Sequence, residues 1–234
     1  MQATRFGCSH PNPFALTIAR TQEIYRHKTN PELVEKFTAM AKAVAATVAE
    51  VPNREEAFKY IIDLTLSKEP CELLADEPGT EKGPLGPNRV PTRVQRVIAA
   101  PSLDDEAFAE LDKLCQEKGI LCLRDNVRKY AAGIDLGLNE AVAGVAASGT
   151  CLCPTTDENV RLAGMISEIS VLTLKKSAIY PDLPSVAHIM REAIGQGASF
   201  TTLITGPSRT ADIECVGAVG VHGPLALHIL LLED

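Results

Sequence analysis

The sequence predicts an α/β protein built on an open, mainly parallel sheet with flanking helices, preceded by an N-terminal helical extension. From Cys71 onward, short apolar runs alternate with segments of helical period, the pattern of strand–helix–strand crossovers. At 234 residues with 45% hydrophobic content the chain can bury a full core, and no internal repeat divides it. One domain over residues 31–234 follows, with residues 1–30 as an arm or outer helix because their apolar positions are sparse.

Asn30-Pro31 pairs a capping side chain with a proline in the first turn, and Leu33, Phe37, Met40, Ala41, Val44 and Val48 recur at helical spacing behind it. Asn53 caps a second helix, with Glu56 at the box position and Ala57, Tyr60, Ile61 and Leu64 on its inner face. Cys71 to Ala75 reads as the first strand. Residues 76–91 carry too many prolines and glycines for a helix or a central strand and read as a long exposed loop. Val94 to Ala99 is the next strand, and Ser102 caps a helix running to about Lys118 and ending at Gly119. Strands follow at Ile120 to Leu123, Ile134 to Leu138, Thr150 to Cys153, Ile169 to Leu174, Thr201 to Ile204 and Leu225 to Leu232. Helices are expected around Asn126 to Ala132 and from Ser185 to Ile194.

Charge narrows the partners. Against 30 Asp+Glu stand 23 Lys+Arg, a net charge of -7 with no basic run, so the chain lacks the clustered cations that displace phosphate counterions from nucleic acid. No stretch is long and apolar enough to span a bilayer, and Met1 to Cys8 lacks the apolar region of a signal peptide, so a cytoplasmic protein is expected. The seven cysteines are odd in number and several sit in apolar runs, as reduced thiols do. None forms a Cys-x-x-Cys pair, and Cys151 and Cys153 are read as core packing, with no metal site in this chain.

The polar constellation with the densest chemistry follows the run Thr201 to Thr205. After Gly206-Pro207 the chain presents Ser208, Arg209, Thr210, Asp212 and Glu214 within seven positions. Glycine permits close backbone approach, the hydroxyls donate hydrogen bonds, and Arg209 offers a planar fork for carboxylate or phosphate. In open α/β sheets such residues at the carboxyl ends of strands bind ligands. The bland alternative is that Arg209 pairs with Asp212 or Glu214 and only rigidifies a turn. His222, flanked by Gly220, Gly223 and Pro224, is the best candidate for a general acid or base, with a hydrogen bond to a loop carbonyl as the alternative role. His228 is read as facing the polar side of its strand, and His188 as a surface residue.

Gly206-Pro207-Ser208-Arg209-Thr210-Ala211-Asp212-Ile213-Glu214, followed by Gly220-Val221-His222-Gly223-Pro224, resembles the C-terminal signature of the LUD-domain family, in particular its lactate utilisation protein C group. Gly144-Val145-Ala146-Ala147-Ser148-Gly149-Thr150 resembles the family's small-residue turn. There Gly149 and Thr150 keep the pattern, while Val142 and Ala147 stand where relatives carry acids, leaving Glu140 as the nearby carboxylate. Arg161 corresponds to an arginine often found in the family, and it is expected to share one anion pocket with Arg209.

The resemblance implies a fold similar to the NagB/RpiA/CoA transferase-like group and a bound small anion. It further implies a bacterial role in L-lactate oxidation to pyruvate, as a non-cluster component whose iron–sulfur clusters belong to partner subunits. The alternative it implies is a free-standing enzyme on a phosphorylated or CoA-linked metabolite. A homo-oligomer is compatible with either. The expected ligand contacts are therefore Gly206, Ser208, Arg209, Thr210, Asp212, Glu214, Gly149, Thr150 and Arg161, with His222 and Glu140 as the candidates for proton transfer.

Overall fold

The computed structural model describes residues 28–73, 81–131, 133–195, 200–210 and 217–233. Residues 1–27 of the expected arm, together with Asp212 and Glu214, lie outside them. The chain begins with α1 (Pro31–Ala43), β1 (Thr47–Val51), α2 (Arg54–Ser67), β2 (Lys82–Leu85), β3 (Pro91–Arg93), β4 (Val97–Ala99), α3 (Asp105–Glu117) and β5 (Leu121–Leu123). It continues through β6 (Ile134–Glu140), β7 (Ala143–Val145), β8 (Thr150–Pro154), α4 (Glu158–Ile166), β9 (Ser167–Lys175) and β10 (Ile179–Tyr180). It closes with α5 (Ala187–Gly195), β11 (Thr201–Ile204), β12 (Arg209–Thr210), β13 (Ala218–Val219) and β14 (Ala226–Leu232).

Six strands form the central sheet in the order β1-β14-β9-β6-β4-β5, and every pairing within it is parallel. Residues two apart on a strand share a face, so the register sorts the core. Leu136, Leu138, Val171 and Leu230 face α2 and α3 through Phe58, Ile61 and Leu111. On the other face Leu172, Leu174, Leu227, Ile229 and Leu231 meet Val34, Phe37 and Ala41 of α1 and the strand residues Cys151 and Cys153. Burying each such large side chain contributes about 1.5–3 kcal/mol. That second face is roofed by a smaller sheet, β10-β7-β8-β11, and by α4. The approach of α4 requires Gly137, since a Cβ there would sit 1.9 Å from the Ala163 carbonyl oxygen.

The helix starts are local. Asn30 Oδ1 accepts from the Glu32 N–H and Asn53 Oδ1 from the Glu56 N–H, as the sequence predicts. At α3 the cap is Asp104, whose carboxylate accepts from Ala107 N–H, and Ser102 instead accepts from the Glu140 N–H.

Several expected elements differ. The helical pattern read through Val48 stops at Ala43, because Ala45 turns left-handed (φ 66°) and Thr47–Val51 leaves as an edge strand paired with β14. Cys71 to Leu73 does not join the sheet. Its groups pair with Pro91 and Arg93, while the Cys71 N–H donates to Asp135. Within the expected 76–91 loop, residues 82–85 form a β-ribbon with Pro91–Arg93 outside the central sheet. The helix expected around Asn126 is a single 3₁₀ turn, Val127–Tyr130. Thr150–Pro154 and Thr201–Ile204 pair antiparallel in the smaller sheet, and Thr150–Pro154 also pairs antiparallel with Ala143–Val145 because residues 146–149 are too few for a crossover. No helix among the described residues is long and apolar enough to cross a membrane.

Candidate functional site

Between the central sheet, α4 and the smaller sheet lies a cavity of ≈ 170 Å³. Its floor comes from neighbouring parallel strands: Asn139 on β6, Ser170 on β9 and Leu227 on β14 share one face by register. Val160, Arg161, Gly164 and Met165 of α4 form one wall, Thr155, Thr202 and Ile204 another, and Gly206, Pro207 and Pro224 complete it. Apolar walls with a few convergent polar groups characterise small-molecule sites.

Arg161 is the cation of this cavity. Its Nη1 donates to the carbonyls of Thr155 (2.6 Å) and Thr156 (2.7 Å), and its guanidinium stacks over Phe200 with the ring centroid at 4.7 Å. The floor holds two buried oxygens without a hydrogen-bond partner among the described residues, Asn139 Oδ1 and Ser170 Oγ. The Asn139 carboxamide is oriented, since its Nδ2 donates to the Val160 carbonyl at 3.0 Å and a carbonyl can only accept. Sequence reading missed both floor residues. Their signal is a polar residue at an inward position of an otherwise apolar strand, in Leu136-Gly137-Leu138-Asn139 and Ile169-Ser170-Val171.

Of the expected contacts, Arg161 and Gly206 reach this cavity. Gly206 is required for a second reason: its φ is +73° and a Cβ would lie 2.4 Å from the Val44 carbonyl oxygen at the end of α1. Ser208, Arg209 and Thr210 leave the cavity along the β12–β13 ribbon, with Ser208 held by its own N–H to Pro224 O and its carbonyl to Gly220 N–H. Arg209 is exposed and outside the lining, so the structure does not bring the two arginines to one wall. Thr210 Oγ1 is buried without a hydrogen-bond partner among the described residues. His222 is exposed in the turn between β13 and β14.

Gly149 (φ +66°) makes the β7–β8 turn against α1, where a Cβ would lie 2.3 Å from the Ala41 nitrogen. Thr150 Oγ1 shares hydrogen bonds with Ser148 Oγ and Thr205 Oγ1, each at 2.7 Å. These residues reach the Gly206 segment through that hydroxyl chain and do not line the cavity.

Glu140 stands apart. It ends β6 beside β4, and the connections leaving these two strands run to opposite sides, the crevice where open α/β sheets bind ligands. Burial, and then the Asp104 carboxylate, push its carboxyl up to about 7, against the pull of Lys175 and Arg54. It can hold or release a proton near neutrality.

The remaining candidates are structural. Burial pushes the Cys151 thiol up and that of Cys153 up to about 12, so neither supplies a thiolate. His228 does not face the polar side, because its Nδ1 shares a 2.8 Å hydrogen bond with the Tyr60 hydroxyl beneath α2 and burial lowers its pKa. His188 lies edge-on to Tyr180 at 5.9 Å. Among the described residues no three His, Cys, Asp or Glu side chains are grouped to hold a metal ion.

Comparison with known proteins adds the lineage. The chain is 34% identical over 203 residues to the Escherichia coli K12 protein named "Uncharacterized protein YkgG", covering 86% of this chain and 79% of that one. It is 33% identical over 111 residues to "Lactate utilization protein C" of Anoxybacillus flavithermus, covering 47% and 49%. The Bacillus subtilis protein of the same name is 31% identical over 113 residues, with 47% of each covered. The match thus spans about half the length of these lactate utilization relatives. A crystal structure of a DUF162 family protein from Deinococcus radiodurans shares the fold, with a TM-score of 0.53 at 14% identity over 86% of this chain and 96% of that one. The LUD domain sequence model matches residues 34–232, so the cavity, the ribbon and the Glu140 crevice all lie within it, and the chain belongs to the LUD domain family.

Proposed function

We propose that this chain is a non-cluster component of an iron–sulfur system oxidising lactate to pyruvate, and that it holds a small anionic ligand in the cavity beneath α4. The observation that carries the reading is the convergence of Arg161 with Gly206, Pro207 and Pro224 on one small pocket. The names of the Anoxybacillus and Bacillus relatives support the lactate-utilisation role. Electron transfer is assigned to cluster-bearing partner subunits. Met165, Val219, Val221 and Leu225, exposed around the ribbon, supply apolar surface for such a partner.

Within the site Arg161 contacts the anion, while Ser208, Arg209 and Thr210 form the outer approach, where Arg209 steers anions toward the mouth. A cavity of ≈ 170 Å³ accommodates a molecule about the size of benzene, which disfavours a CoA thioester or sugar phosphate as its enclosed ligand. The test pairs genetics with binding. Deleting the gene should stop growth on lactate, and the chain should co-purify with Cys-rich iron–sulfur proteins. Carboxylates should raise the melting temperature of the natural chain and of Arg209→Ala, but not of Arg161→Ala. Normal lactate growth of the deletion strain, or an unchanged shift in Arg161→Ala, would overturn the reading.

A further inference from the structure

We infer that the cavity is selective for a short 2-hydroxycarboxylate over the corresponding 2-oxo acid, with the ligand hydroxyl held by Asn139 and Ser170; this rests on the anion-site reading above. Asn139 Nδ2 is committed to the Val160 carbonyl, so the oxygen of the same carboxamide is left as an acceptor, buried and without a partner among the described residues. Ser170 Oγ, on the neighbouring strand and the same face, is likewise buried and without a partner among these residues. Asn139 is 1% and Ser170 2% exposed, so whatever meets their oxygens must sit inside the cavity. Native interiors rarely leave two such groups on one cavity floor, here diagonal to each other with Ser170 opposite Gly137 and Asn139 opposite Leu172, because each costs the desolvation of a polar atom.

A ligand that satisfies this floor must bring a donor to Asn139 Oδ1. A hydroxyl does so and accepts from Ser170 at the same time. A keto oxygen only accepts, and would set its lone pairs against those of Asn139. The second requirement comes from the wall: Arg161 uses Nη1 on two carbonyls, and the rest of its fork is the cation available to a carboxylate. The third is size, since ≈ 170 Å³ bounded by Val160, Met165, Ile204 and Leu227 admits a short aliphatic chain and little more. Donor, anion and short apolar chain together describe a small 2-hydroxy acid. The site would retain the alcohol and release the ketone, with no redox step carried by this chain.

Isothermal titration of the full chain with lactate, pyruvate and propanoate tests this. Lactate should bind at least about tenfold more tightly than either of the others, the worth of one hydrogen bond. Asn139→Leu, which keeps the branched shape but removes the acceptor together with the donor to Val160, should bring the lactate-to-pyruvate ratio close to one. Ser170→Ala, a smaller change that preserves folding if Asn139→Leu does not, should reduce the ratio part of the way. Equal affinity for lactate and pyruvate in the natural chain, or a ratio unmoved by Ser170→Ala, overturns the hydroxyl selectivity and leaves the anion site standing. Absence of binding by all three carboxylates removes both.

Discussion

Glu140 follows Asn139 on β6 and therefore points to the opposite face, so one strand serves both the cavity and the crevice at its carboxyl end. Its raised pKa makes a stability prediction with a definite sign. The folded state binds this proton more tightly than the unfolded chain, whose carboxyl titrates near 4.5, so the contribution is complete below that value and is lost as pH rises through about 7. Glu140→Gln removes the dependence. Urea denaturation at pH 5 and pH 8 should show the natural chain losing roughly 1–3 kcal/mol more than the variant between the two. Equal losses would show that Glu140 titrates normally. The residue was legible as a candidate because it is the carboxylate nearest the small-residue turn. Asn139 was not, because a polar residue in a strand reveals neither its burial nor its missing partner until the strands are laid side by side.

At the scale of elements, α1 and α4 are placed by glycines. Gly149 and Gly206 both pack against the last turn of α1, and Gly137 admits α4 to the sheet. Gly137→Ala would drive its methyl into the Ala163 carbonyl, so α4 must lift, carrying Arg161 and Val160 with it. The variant should lose several kcal/mol by thermal or urea denaturation, on the scale of severe overpacking. At temperatures where it remains folded, carboxylate affinity should fall as well. A variant that binds carboxylate like the natural chain would mean that α4 does not set the cavity. Helix starts at Asn30 and Asn53 were readable because a cap is a contact between residues two or three apart. The cap of α3 was misplaced by two residues because Ser102 and Asp104 are both good caps, and only the bond from the Glu140 N–H to Ser102 separates them.

At the scale of the whole molecule the amino ends of the strands are tied by a cluster of one cation and two carboxylates, with Asp135 at its buried centre. Lys68 Nζ meets Asp135 Oδ1 at 2.6 Å and Glu168 Oε2 at 3.1 Å, while the Asp135 carboxylate also accepts from the N–H groups of Cys71 and Val97. Asp135→Ala would leave Lys68 and two backbone donors uncompensated, and should cost about 3–5 kcal/mol in urea denaturation. A loss under 1 kcal/mol would show that water replaces the carboxylate. Helical and strand periods, the helix caps and the segments around Gly206 and Gly220 were readable in the chain because each depends on neighbours in sequence or on a contiguous motif. The pairing of those strands was not. Alternation says that Thr150–Pro154 and Thr201–Ile204 are strands, but their antiparallel union and the all-parallel order of the other six depend on contacts between distant residues. The same holds for the cavity: Arg161 and Gly206 were named from the sequence, whereas its floor at Asn139 and Ser170 exists only once β6, β9 and α4 have packed and brought residues about thirty positions apart onto one face.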